Sequence, residues 1–256
     1  MSTAGATRRT YGSLEVVIHP DLDDLADLAC AEAVAAIEAD VSRRGEAAIV
    51  LATGNSQLGF LERLCAADLD WSRITIFHLD EYVGIDEDHP ASFRRYLREH
   101  VVDKVSPRAF SGLRGDAPDL AAECARYRAL LEQADPQLCV MGVGENGHLA
   151  FNDPPADFST TAVVHEVALD RASRLQQVGE GHFPDLASVP TRALSLTVPA
   201  MLSMPHLVAI APERRKAEVI ATALDGPISP DCPASALRQA TGAVLHLDEE
   251  SASLLA

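Results

Sequence analysis

The chain has 256 residues, 47% of them hydrophobic, and a formal net charge of −17. That composition belongs to a globular protein with a sizeable core and not to a disordered one. The acidic balance disfavours a nucleic-acid partner, which needs a basic surface, and no apolar run is long enough to span a bilayer.

The first residues, Met1 to Tyr11, are small, polar and slightly basic and lack the apolar stretch of a secretory leader. They predict a flexible tail over residues 1–12, followed by one domain over 13–256, in a cytoplasmic protein. Cys30, Cys65, Cys124, Cys139 and Cys232 are odd in number and widely spaced, with no pair at metal-ligand spacing. They read as reduced thiols in a reducing compartment, and no metal site is expected.

Helical spacing of Leu22, Leu25, Leu28, Ala29, Val34 and Ile37 predicts a helix over Asp21 to Arg44, opened after Pro20 and closed at Gly45. The apolar run Ala47 to Ala52 predicts a buried strand. It runs into the small polar loop Thr53-Gly54-Asn55-Ser56-Gln57, and a helix follows over Leu58 to Ala67. A loop of this kind can offer N–H groups to a phosphate at the helix start, although Asn or Ser before a helix equally describes a plain cap. A second strand, Ile74 to Leu79, leads into Asp80-Glu81-Tyr82-Val83-Gly84, where two adjacent carboxylates stand either at a site or in a surface turn.

Helices are predicted from His89-Pro90-Ala91-Ser92 through Val101 and over Ala117 to Gln133. The run Leu138 to Met141 is a third buried strand. It breaks at Gly142, Gly144 and Gly147 while gathering Glu145, Asn146, His148, Asn152 and Asp153. Glycines let a backbone turn sharply and approach a ligand, and histidine can give and take a proton near neutrality. A strand-to-loop turn with a hydrogen-bonded histidine is the bland account of the same residues. Further on come a strand at Thr161 to Leu169, a helix at Arg171 to Gln177 broken by Gly179-Glu180-Gly181, and a strand at Ala193 to Val198. A short helix at Pro199 to Ser203 and a strand at His206 to Ala211 follow. A helix from Pro212 to Leu224, a short helix at Pro233 to Arg238 and a strand at Ala243 to Leu247 complete the chain.

Strands alternate with helices throughout, so the fold class is α/β, with a largely parallel sheet covered by helices on both faces. Strand C-termini then share an edge, where the loops after Ala52, Leu79 and Met141 can converge. Lys216, early in a helix that follows a strand, can bring a cation to that edge, or it is simply a solvated helix residue.

Phe77-His78-Leu79-Asp80-Glu81-Tyr82-Val83-Gly84, His89-Pro90-Ala91-Ser92 and Gly142-Val143-Gly144-Glu145-Asn146-Gly147-His148-Leu149-Ala150-Phe151-Asn152-Asp153-Pro154 together resemble the signature blocks of the glucosamine-6-phosphate deaminases. The similarity runs from about the first strand to the last. It implies a Rossmann-like fold shared with 6-phosphogluconolactonase and ribose-5-phosphate isomerase. It also implies conversion of glucosamine 6-phosphate and water to fructose 6-phosphate and ammonia, with no metal and no organic cofactor. By the same resemblance, Asp80 is the carboxylate that moves a proton between C2 and C1 of the opened sugar, and His148 opens the pyranose ring. Thr53, Gly54, Asn55, Ser56 and Lys216 form the phosphate site, with Glu81 and Gly144 at the substrate. The small-molecule partner is a phosphorylated amino sugar, and a homo-oligomer stays open.

The chain departs from the family pattern at several points. Many members have Asp where this chain has Asn146 and Glu where it has Asp153, acids held to orient and tune the histidine. A common phosphate loop is Thr-Gly-Gly-Thr-Pro. An Asn-Ser-Arg-Phe-Phe block whose arginine grips phosphate is absent, with Arg174 as its expected substitute. Two alternatives accompany this reading: a 6-phosphogluconolactonase-like hydrolase, and a sugar-phosphate sensor without turnover, which Asn146 would favour.

Overall fold

The computed structural model describes residues 5–179 and 181–255. The main sheet holds β1 (Thr7–Tyr11), β2 (Leu14–His19), β3 (Ala47–Leu51), β4 (Ile74–His78), β6 (Ala109–Ser111), β7 (Leu138–Gly142), β10 (His206–Ile210) and β11 (Ala243–Asp248). Their order is β1-β2-β11-β10-β7-β3-β4-β6. Every neighbouring pair is parallel except the β1–β2 hairpin. A second, antiparallel sheet has the order β5-β9-β8, from β5 (Asp80–Tyr82), β8 (Val164–Ala168) and β9 (Arg192–Leu196).

Alternation along each strand feeds two cores. Ala48 and Val50 of β3, with Cys139 and Met141 of β7, pack under α5 (Leu120–Ala134), α7 (Val198–Leu202) and α8 (Ala217–Asp225). Ile49 and Leu51, with Leu138 and Val140, pack against α1 (Leu22–Arg44) and α2 (Leu58–Ala66) on the other face. Full burial of each such aliphatic side chain contributes ~1.5–3 kcal/mol, so helices on both faces are what these uniformly apolar strands require. The remaining helices are α3 (Phe93–Leu97), which runs through a π-helical turn at Arg98–Val102 into α4 (Asp103–Val105), and α6 (Arg171–Gly179). No helix among the described residues is long and apolar enough to cross a membrane.

The helix expected from Asp21 starts one residue later, because Asp21 is its cap and accepts from the Asp24 N–H at 2.8 Å. The flexible tail is corrected in part: Thr7–Tyr11 form the edge strand β1, paired residue for residue with β2, while residues 1–4 lie outside the described residues. Asp80–Tyr82 is a strand and not a surface turn. The chain leaves the main sheet at Leu79 and its backbone pairs at once with Ser195, Leu194 and Ala193 of β9.

Candidate active site

The C-terminal ends of β3, β4 and β7 open on one cleft of about 680 Å³, continuous with solvent. Its wall includes Thr53, Gly54, Asn55, Ser56, Asp80, Gly144, His148 and Lys216, brought together from four separate segments of the chain. Gln57, Phe93, Phe151, Gln176, Gln177 and His182 complete much of the rest.

After β3 the chain turns at Gly54, whose φ of 104° excludes most side chains. It then makes a 3₁₀ turn over Asn55–Gln57 that runs straight into α2. The amide ends of that turn and of α2 face outward with partial positive charge. Across the cleft, Lys216 is only 4% exposed and its Nζ donates to Ser56 Oγ at 3.1 Å. A buried ammonium beside the start of a helix is an arrangement that suits an anionic ligand.

Asp80 is the first residue of β5, and its side chain has no hydrogen bond or ion pair among the described residues. Behind it, Tyr127 clamps the end of β4, accepting from the His78 N–H at 2.9 Å and donating to the His78 carbonyl at 2.8 Å. Burial pushes the Asp80 carboxyl well above the ordinary carboxylate range, and the neighbouring Glu81 charge adds to the shift. Glu81 itself is fully buried and does not face the cleft. Its carboxylate accepts from the N–H groups of Tyr82, Phe93 and Arg94 at 3.0, 3.1 and 3.0 Å, from Ser92 Oγ at 2.8 Å and from Arg94 Nε at 3.2 Å. It thus fastens the start of α3 to β5. Burial raises the Glu81 carboxyl while those donors pull it down.

His148 lies against the backbone of Gly144, so closely that a Cβ there would sit 2.1 Å from the ring. Its Nδ1 is 2.6 Å from Asn146 Oδ1, and the same oxygen accepts the His148 backbone N–H at 3.0 Å. Asn146 Nδ2 donates to Asp153 Oδ1 at 3.1 Å. A carboxylate only accepts, so the amide orientation is settled: Nδ2 meets Asp153 and Oδ1 meets the imidazole. The imidazole therefore carries a proton on Nδ1. Asp153 Oδ1 is 3.5 Å from Nδ1. Asn152 pins the same loop to the second sheet, donating to the carbonyls of Leu149 and Leu196 at 2.7 and 2.8 Å.

Three residues take positions that the sequence did not suggest. Arg174 does not line the cleft; its Nη2 donates to the carbonyls of Leu186 and Val189 at 2.6 and 2.9 Å, which ties down the segment after α6. Glu145 turns outward to Arg215 at 2.8 Å. Gln177, which does line the cleft, accepts from the Tyr82 hydroxyl at 2.5 Å. Its only sequence signal is the polar pair Gln176-Gln177 on an otherwise ordinary helix.

Fold and cleft define a Rossmann-like α/β protein whose candidate site lies at the C-terminal edge of a parallel sheet. The family of glucosamine-6-phosphate isomerases and 6-phosphogluconolactonases matches residues 20–246, and the chain belongs to that family. It is 36% identical over 207 residues to the glucosamine-6-phosphate deaminase of Exiguobacterium sibiricum, covering 81% of each chain. The deaminase of Streptococcus sanguinis is 33% identical over 212 residues, 83% of this chain and 88% of that one. A solved monomeric glucosamine-6-phosphate deaminase superposes with a TM-score of 0.86 at 30% identity, over 93% of this chain and 99% of the other. The 6-phosphogluconolactonase of Shewanella baltica shares the fold, with a TM-score of 0.75 at 19% identity over 95% and 99% of the two chains.

Proposed function

We propose that residues 13–256 act as one domain that converts glucosamine 6-phosphate and water to fructose 6-phosphate and ammonia. The observation that carries this reading is Asp80: a carboxyl with no competing bond among the described residues, lifted by burial, on the same cleft as a histidine whose Nδ1 is held by Asn146 and a buried lysine. Aldose–ketose isomerisation needs a group that removes a proton from C2 and returns it to C1, and a carboxyl of raised pKa serves both halves.

The Gly54–Ser56 turn and Lys216 hold the phosphate and so fix the sugar's distal end. His148 Nε2 takes the proton of the C1 hydroxyl as the ring C–O bond breaks and delivers it to the ring oxygen, leaving the open-chain aldehyde. Asp80 then takes the C2 proton while the C1 oxygen takes one from the substrate's ammonium group, giving an enolamine; Asp80 delivers its proton to C1, leaving an iminium at C2. Water adds to that carbon, ammonia leaves with the C–N electron pair, and the ketone remains.

The test measures fructose 6-phosphate and ammonia together, across a panel of amino sugar phosphates and with 6-phosphogluconolactone in parallel. Stoichiometric release of both products from glucosamine 6-phosphate supports the reading. Lactone hydrolysis without ammonia would establish the hydrolase alternative, and binding without turnover the sensor.

A further inference from the structure

We propose that Ser173 is a positioning residue for His148, acting through Asp153 and Asn146; the inference rests on the proposed role of His148 in proton transfer. Ser173 is 2% exposed and sits in the first turn of α6, outside the loop that carries the histidine. Its hydroxyl donates to Asp153 Oδ1 in a short hydrogen bond. The other carboxylate oxygen, Oδ2, accepts from the Asp170 N–H at 3.3 Å, and Asp170 Oδ1 in turn accepts the Ser173 N–H at 2.6 Å. Both oxygens of Asp153 are therefore fastened to the start of α6.

Fastened there, Asp153 stands 3.5 Å from His148 Nδ1, beyond a good hydrogen bond, and receives Asn146 Nδ2 instead. The amide is left with one orientation, in which its carbonyl accepts from the imidazole at 2.6 Å. The result is a neutral acceptor in direct contact with the ring and a charge one step behind it. The other acid of the loop, Glu145, is paired with Arg215 and does not compete for Nδ1. A serine 25 residues from the histidine in sequence thus determines which oxygen the imidazole meets.

Removing the hydroxyl leaves Asp153 Oδ1 with Asn146 Nδ2 but without the donor on α6. The carboxylate can then close the remaining gap to Nδ1 and displace the amide, and a carboxylate in direct contact favours the imidazolium. The test is the Ser173→Ala variant, with His148 titrated by NMR in the substrate-free protein and kcat and KM measured across pH. The expected result is a higher His148 midpoint, an acid limb of kcat moved the same way, and a lower kcat at little change in KM. Ser173→Thr, which keeps the hydroxyl, retains the wild-type midpoint. A His148 midpoint unchanged or lowered in a folded Ser173→Ala protein overturns the proposal, and so does a Ser173→Thr midpoint that moves as far as that of Ser173→Ala. Because the titration needs no substrate, a shifted midpoint in a protein that turns over no amino sugar phosphate would sink the functional assignment and leave the coupling intact.

Discussion

Gly144→Ala probes the site with a single methyl. The new Cβ would stand 2.1, 2.3 and 2.4 Å from Cε1, Nε2 and Nδ1 of His148. Carbon atoms rest about 3.5 Å apart, so the ring must retreat by about 1.4 Å. A hydrogen bond of 2.6 Å from Nδ1 to Asn146 does not survive a shift of that size. Misplacing a reacting group by ~1 Å costs about 10²-fold, which equals about 2.7 kcal/mol of transition-state stabilisation. The backbone tolerates alanine, since Gly144 is not among the residues with positive φ. We therefore expect kcat/KM for ammonia release to fall by roughly 10²-fold or more, with little change in thermal stability. Gly142→Ala is the control: its Cβ meets Gln57 Nε2 at 3.4 Å and the Ile210 carbonyl oxygen at 3.8 Å, and a change of a few-fold is expected. Activity of Gly144→Ala within about threefold of wild type would refute the placement of His148 as a group whose position governs the rate.

Asp80→Asn should lower turnover by ~10²–10⁴-fold, the usual contribution of a positioned general base, while substrate still binds in a calorimeter; near-normal turnover would remove Asp80 from the mechanism. The same change should raise the melting temperature at neutral pH. A carboxyl whose pKa is higher folded than unfolded loses folding stability as pH rises through that interval, so the difference should vanish at pH below about 4. In the wild type the acid limb of kcat/KM should lie above the ordinary carboxylate range for the same reason, and a flat profile down to that range would contradict the burial of Asp80. Asn146→Asp places a negative charge at the 2.6 Å contact and should raise the His148 midpoint, as read by NMR. A downward shift would separate the two residues. Lys216→Ala should weaken substrate binding, and competition by inorganic phosphate, far more than it slows turnover at saturation; an unchanged KM would place the phosphate elsewhere.

The parallel sheet and the convergence of its loops were legible because buried strands write continuous apolar runs, as in Ala47 to Ala52 and Leu138 to Met141. Thr7–Tyr11 was not legible as a strand. Its residues are polar and its only support is pairing with β2, a tertiary fact. The pair Asp80-Glu81 shows the same limit within the site. Adjacent strand residues point to opposite sides, so one carboxyl faces the cleft and the other fastens α3, a division that the sequence alone could not assign. Ser173 and Arg174 are consecutive on α6, and helical geometry turns them to different faces. The arginine reaches backbone carbonyls and the serine reaches Asp153. Charge made Arg174 the visible candidate, and only packing reveals Ser173.

Glu213, at the start of the turn that carries Lys216, has φ 82° and ψ 141°, a backbone state nearly reserved for glycine. Such a conformation costs ~1–3 kcal/mol and persists only where its surroundings impose it. Here both oxygens of Asp248, in the last strand, receive the Glu213 N–H at 3.1 and 3.2 Å, and the Glu213 carbonyl receives the Lys216 N–H at 3.0 Å. The proposed anion grip is thus assembled during folding, and its ordering entropy is spent before any ligand arrives. No residue of β11 reaches the cleft wall. Changes at Asp248 should therefore surface first as weaker anion affinity, so that a strand remote from the chemistry would set the stiffness of the proposed phosphate site.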